Sequence, residues 1–365
     1  MAQGPPFHAE HVGSLLRPPE LRQAFRERRE GTIDDTEFRS VQDEAIRAVL
    51  AMQEEAGLKA VTDGEFRRAS YWAHWVEAIE GLDVGESRFR FHDDAGEETE
   101  FTAPAVTGLL ERPLAIAGAE YDFTSRETDA VVKITMPSPS TFLFWRGEDS
   151  LPEDYATADA FFSDLGRIYR EEIADLAARG ASYVQLDEVA LVMLADPGIR
   201  EQVQARGEDP DLLVGRFVGA INDAVSERPE GMTAAVHICR GNYKGSWLAE
   251  GGYDAIAEQA FGALDVDALF LEYDTPRAGD FKPLRFVPGS KRVVLGLVSS
   301  KTADMEQPDD LRRRIEEAAQ HFDGDRLAIS PQCGFASAAG GNPITPDAQE
   351  AKLRMIVNVA EAVWG

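Results

Sequence analysis

Residues Ala234–Tyr243 read AAVHICRGNY. A short apolar run ends in His237 and Cys239, one residue apart. Residues at i and i+2 of an extended segment point to the same side. The run therefore predicts a buried strand that presents an imidazole and a thiol together at its C-terminal end. Those groups are good ligands for soft metals, zinc above all. Taken alone, a His-x-Cys pair is as readily a buried cysteine beside an unrelated histidine. The chain has one other cysteine, Cys333, in the loop-like stretch SPQCGFAS.

The same pattern of a short apolar run closing on polar residues recurs along the chain. Eight strands are expected near Phe7, Lys59, Val131, Tyr183, Thr233, Ala268, Arg292 and Leu327, and most precede a helical pattern. Helices are predicted over 20–29, 33–55, 67–79, 157–179, 209–227, 249–261, 309–321 and 345–363. Thr157 and Thr345 stand as N-caps, with Pro346 at the first turn of the last helix. Strands alternating with helices imply a parallel sheet covered by helices, and eight such units fit an α/β fold of the (β/α)8 TIM barrel class, read as a single domain over 1–365. Residues 81–130 break the pattern and predict a β-rich, hairpin-like insertion. The polar residues that close the strands are His11–Ser14, Asp63–Glu65, Asp187–Glu188, His237–Cys239, Glu272, Ser299–Ser300 and Cys333. In a barrel these ends converge on one mouth, where barrel active sites are built.

The 365 residues carry a formal charge of −28, which argues against nucleic acid and anionic membranes as partners. No apolar run is long enough to span a bilayer, and the N-terminus shows no secretory pattern. Two cysteines make no disulfide framework; they read as reduced thiols in a cytoplasmic protein.

His237, Cys239, Glu272 and Cys333 form a donor set suited to tetrahedral Zn2+. Two thiolates, a carboxylate and a neutral imidazole around Zn2+ give an electron-rich centre of formal charge about −1. A substrate thiol entering such a centre loses its proton and stays nucleophilic, so S-alkylation is the natural chemistry.

The motifs HVGSLLRP (11–18), DGEF (63–66), PSPST (137–141), QLDEVAL (185–191), HICRGNY (237–243), FLEYD (270–274) and PQCGF (331–335), in this order, resemble the C-terminal catalytic barrel of the cobalamin-independent methionine synthase family, most closely its short single-barrel members. The resemblance covers nearly the whole chain. It implies methyl transfer from 5-methyltetrahydrofolate to homocysteine, with His237, Cys239, Glu272 and Cys333 as zinc ligands. It also implies that Ser14 (in Val12–Gly13–Ser14), Glu65 and Asp187 hold the thiol amino acid, and that Trp145 lies near the pterin or else packs in the core. The stretch 187–190 has Val189 where the family has proline.

One departure bears on the donor. The family histidine that protonates the leaving folate nitrogen aligns with Val298, which delivers no proton; His11 and His74 are the other histidines considered for that role. The expected function is thus a zinc-dependent S-methyltransferase acting on homocysteine or a similar small thiol, with methyltetrahydrofolate or a methylcorrinoid protein as donor. The alternatives are a zinc thiol alkyltransferase using another donor, such as an epoxide, and a non-catalytic zinc- or thiol-binding protein.

Overall fold

The apolar runs form parallel strands, and their polar ends gather at one rim. The computed structural model describes residues 4–93 and 95–365. In chain order the strands are β1 (Ala60–Val61), β2 (Glu80–Glu86), β3 (Phe91–His92), β4 (Glu98–Thr99), β5 (Thr102–Glu111), β6 (Val131–Val132), β7 (Ile134–Pro137), β8 (Tyr183–Glu188), β9 (Thr233–Ile238), β10 (Ala268–Glu272), β11 (Arg292–Val298) and β12 (Leu327–Pro331). Strands β7 to β12 form one parallel sheet in sequence order. At one edge β1 pairs with β6 in parallel, and the Lys133 N–H, between β6 and β7, bonds the Val61 carbonyl at 2.9 Å. At the other edge Ala9 bridges Ile329 in parallel, with Glu10 N–H to Ile329 O at 3.0 Å. The remaining gap is spanned by the Thr62 hydroxyl, which donates to the Gly13 carbonyl at 2.7 Å, and by Leu15 N–H to Gly64 O at 3.1 Å. Eight chain segments thus close the ring of a (β/α)8 barrel. The first, around Ala9, is shorter than a regular strand.

Inside the barrel, alternate residues stack in layers, as the period of two requires. The lower part of the interior holds Ala60, Tyr183, Ala235, Ala268, Phe270, Val294 and Ala328. Alanines leave room for the two rings. Above them the Lys133 ammonium meets the Glu10 carboxylate at 3.3 Å, both fully buried, and lies 4.7 Å from the Phe270 ring centre. Burial pushes the Glu10 carboxyl up and the Lys133 amine down; the attraction between them opposes both shifts. The top layer consists of the strand-end polar residues.

The outer helices follow the expected caps. The Thr157 hydroxyl accepts from Ala160 N–H ahead of Ala158–Ala178, and the Thr345 hydroxyl accepts from Ala348 N–H ahead of Pro346–Trp364, with Pro346 at the first turn.

The β excursion ends at Glu111. Strands β2 and β5 pair antiparallel, and β3 and β4 form the tip. The expected β-rich stretch runs to residue 130, yet Gly118–Glu127 is a helix that packs beside the helices of the barrel wall. Its buried face is Gly118, Glu120, Tyr121 and Thr124, too polar to show a helical stripe of apolar residues. Glu120 is buried because Arg68 binds it at 2.7 Å. The helix expected over 67–79 is confined to Ala73–Ala78. The residues before it form turns, held where Arg68 reaches the Thr135 carbonyl at 3.0 Å.

Phe270 fills the barrel floor with 1% exposure. Phe270→Ala is expected to cost about 3–5 kcal/mol, measured from urea unfolding, whereas Leu114→Ala at an exposed site (76%) shifts stability by less than about 0.5 kcal/mol. A Phe270→Ala cost similar to that of Leu114→Ala would mean that the floor is not close-packed.

Candidate metal and thiol site at the barrel mouth

Parallel register brings three strand ends to one level. His237 on β9 pairs with Asp187 on β8 and with Phe270 on β10, and all three face inward by alternation. Cys239 follows β9 by one residue, and Cys333 follows β12 by two. One ligand atom from each of His237, Cys239 and Cys333 lies within 4.8 Å of the others, and all three residues are buried. The two sulfurs are 3.9 Å apart. Two thiolates bound tetrahedrally at about 2.3 Å from a zinc ion stand about 3.8 Å apart, so this pair is spaced for one metal.

The histidine is aimed by its neighbours. Its Nδ1 lies 3.2 Å from Asp187 Oδ1, and its Nε2 lies 3.1 Å from the Gln332 carbonyl. A carboxylate behind a ligating imidazole fixes its tautomer and orientation. Burial alone lowers the His237 pKa, but the Asp187 hydrogen bond and the Cys333 charge outweigh it and raise the pKa to about 9. The two thiols lie within hydrogen-bond reach of each other. The hydrogen bond between them raises Cys239 and lowers Cys333, and burial adds to the first and opposes the second.

Glu272 is not one of the three clustered residues. It is buried at the end of β10, with Oε2 accepting from Arg240 N–H at 2.7 Å and Oε1 from Lys301 Nζ at 3.1 Å.

The triad opens into a cavity of about 870 Å³, also lined by Ser14, Glu65, Trp145 and Asp187, and walled on one side by the hairpin through Arg88, Phe91 and Phe101. Glu65 occupies a left-handed backbone conformation (φ +60°), unusual for a residue with a side chain. Arg17 holds that turn by donating to the carbonyls of Glu65 and Arg68, at 2.9 and 2.6 Å. Glu65 Oε1 accepts from the Thr135 hydroxyl at 2.9 Å, while Oε2 is buried with no hydrogen-bond partner among the described residues. Burial raises this carboxyl to about 7; Arg68 opposes the rise and Asp187 adds to it. The Ser14 hydroxyl accepts from Ala336 N–H at 3.3 Å. A Cβ on Gly334 would lie 2.0 Å from that hydroxyl oxygen, so the loop after β12 packs this closely only with glycine.

Trp145 reaches the cavity, yet it is 3% exposed and packs edge-on against Phe89, Phe101 and Phe144. Val298 is fully buried in β11. Neither it nor His11 nor His74 is among the residues that line the cavity. The ring nitrogens of both histidines are enclosed without hydrogen-bond partners among the described residues, and burial drives their pKa values well down. Sequence reasoning missed Gln185, Asn242, Lys301 and Gln332. Gln185 donates to Asp187 at 2.7 Å. Asn242 ties the loop after β9 to the Gly334 carbonyl at 3.1 Å, and the Gln332 side chain accepts from Ser300 N–H at 2.7 Å. Interior polarity on Gln185 and the repeated strand-end position of Gln332 were the available signals.

Fold and site together define a closed α/β barrel with a His/Cys/Cys cluster at its mouth. Residues 7–362 match the family described as the cobalamin-independent synthase catalytic domain, and the chain belongs to the cobalamin-independent methionine synthase family. It is 42% identical to the uncharacterized protein YxjG of Bacillus subtilis, over 99% of this chain and 95% of that one. It is 23% identical to the 5-methyltetrahydropteroyltriglutamate–homocysteine methyltransferase of Aeromonas salmonicida, over 96% of this chain but 42% of that one. Among solved structures, a Listeria monocytogenes protein assigned as a vitamin-B12-independent methionine synthase superposes with a TM-score of 0.78 at 29% identity, covering 100% of both chains.

The Glu65 carboxyl, ordinarily near 4.5, titrates near 7 in the folded chain, so the folded state holds a proton that the unfolded state has lost. The stability tied to this group is full below about pH 4.5 and is lost as pH rises through about 7. Glu65→Gln removes that loss. The melting temperature of the variant relative to the native chain should rise from pH 5 to pH 8; a difference that does not change with pH would contradict the assignment.

Proposed function

We propose that the protein is a zinc-dependent S-methyltransferase that converts homocysteine, or a similar small thiol amino acid, into its methyl thioether. The observation that carries this reading is the pair of buried sulfurs 3.9 Å apart, with the His237 ring beside them, at the base of a cavity that also holds an unpartnered carboxylate oxygen of Glu65. His237, Cys239 and Cys333 would hold the ion, and Glu272, the fourth donor of the set, lies buried in the same rim with its oxygens bound to Arg240 N–H and Lys301. A zinc ion held there would supply Lewis acidity, lowering the pKa of an incoming thiol while leaving its sulfur nucleophilic.

The chain supplies the rest. Asp187 holds the His237 ring in place. Glu65 Oε2 and Asp187 offer negative charge to the substrate ammonium, and Ser14 lies at the same wall of the cavity for its carboxylate. In the transfer a sulfur–carbon bond forms and the bond from the methyl to its carrier breaks. The hairpin and Trp145 form the side from which a donor enters, and the donor we favour is a methyltetrahydrofolate.

A methylcorrinoid protein is the second donor reading, favoured by Val298. A departing folate nitrogen takes up a proton, whereas cobalt(I) leaves without one. Neither Val298 nor the two enclosed histidines reach the cavity to supply it.

Two measurements test the proposal. Zinc K-edge spectroscopy is expected to register an added sulfur ligand when homocysteine is supplied; an unchanged first shell would favour a closed structural metal. Cys239→Ser is expected to lose zinc, by about 10–100-fold in affinity or more, together with methyl transfer from methyltetrahydrofolate or methylcobalamin. Activity retained without metal would remove zinc from the mechanism, and no turnover with either donor would overturn the assignment.

A further inference from the structure

Both oxygens of Glu272 are already engaged. Its Oε2 accepts from the backbone N–H of Arg240, at 2.7 Å, the residue that follows Cys239. Its Oε1 accepts from Lys301 Nζ at 3.1 Å. Lys301 lies three residues past the end of β11 and is buried, with 6% exposure. Its ammonium also stands 3.6 Å from Asp274 Oδ2, so two carboxylates bracket it. A lysine seldom occupies so enclosed a place without a partner that needs it. The ammonium and a divalent cation are rivals for the same carboxylate oxygen.

We infer that Lys301 is a positioning residue: it seats the Glu272 carboxylate beside the His237/Cys239/Cys333 triad and keeps the fourth ligand position available to the substrate thiol. This rests on the zinc reading above and deepens it. A four-ligand set closes around a metal, while three ligands and an open position are what catalytic sites use. Without the ammonium, Glu272 would be a buried, unpaired anion, which is costly, and a metal beside it would draw its oxygen into the first shell. Lys301 removes that cost by holding the carboxylate as its counter-ion. The carboxylate then stays off the metal, and the thiol enters the open position without expelling a charge into an apolar rim.

The test compares the native chain with Lys301→Met, which keeps length and removes charge, and with Lys301→Arg. Each is loaded with zinc for X-ray absorption and chelator competition, and with cobalt(II) for visible spectra during homocysteine titration. Lys301→Met should gain an oxygen ligand, hold zinc about tenfold more tightly and bind homocysteine about tenfold more weakly; Lys301→Arg should restore the native values. An unchanged first shell and unchanged zinc and homocysteine affinities in Lys301→Met would overturn the inference while leaving the zinc reading intact. A native chain that takes up neither metal would overturn both. If Lys301→Met does not fold, the double variant Lys301→Met/Glu272→Gln, which leaves no unpaired charge between the two, is expected to bind zinc and homocysteine within about tenfold of the native chain. Loss of zinc from that variant would mean that Glu272 is an obligatory ligand and that the inference is wrong.

Discussion

Strand register is the constraint on which this molecule depends. Asp187 and His237 are direct partners across β8 and β9, and both point inward because each lies an even number of residues along its strand from the packed floor. A slip of one residue would turn both outward and send an apolar neighbour into the mouth. The floor prevents the slip. Phe270 and Tyr183 interlock with alanines from four strands, and the Lys133–Glu10 pair above them joins the first segment to the third strand across the interior. The geometry of the His237, Cys239 and Cys333 cluster is thus set by the packing of Phe270 beside His237 and of Tyr183 below Asp187.

Above the floor, charge is arranged in closed circuits. Arg17 and Arg68 hold the turn that carries Glu65, and Arg68 takes Glu120 from the helix outside the barrel. Glu188 accepts from Ser138, Ser140 and Leu191 N–H, so the residue next to Asp187 serves as a brace between two loops. Carboxylates at the barrel mouth therefore do different work. Glu188 is saturated by donors, whereas Glu65 keeps an oxygen in reserve.

The barrel was legible because each strand is a short apolar run closing on polar residues, and the mouth was legible because those residues are of types seldom found together by chance. His237, Cys239 and Cys333 come together as their places on the strands imply. What escaped the sequence were interactions between side chains far apart in the chain. The helix Gly118–Glu127 buries a glutamate against Arg68, so it carries no apolar stripe to read. Lys301 follows a strand whose pattern stops at Ser300, and nothing local marks it as the partner of Glu272, twenty-nine residues earlier. The brevity of the helix at Ala73–Ala78 arises in the same way, from an arginine held by groups on other elements.

The tip of the hairpin is stitched to the loop that follows the strand carrying His237: His92 and Trp247 exchange backbone hydrogen bonds of 2.7 and 2.9 Å. The barrel contributes the floor and the reactive end of the cavity, while the hairpin contributes its outer wall and rests on the barrel at this joint. The two halves of the pocket therefore reside on separable pieces of chain. Changes within β2–β5 can reshape the entrance while the cluster of His237, Cys239 and Cys333 stays as it is. The architecture is modular: partner choice can diversify on the hairpin while the chemistry at the strand ends remains constant.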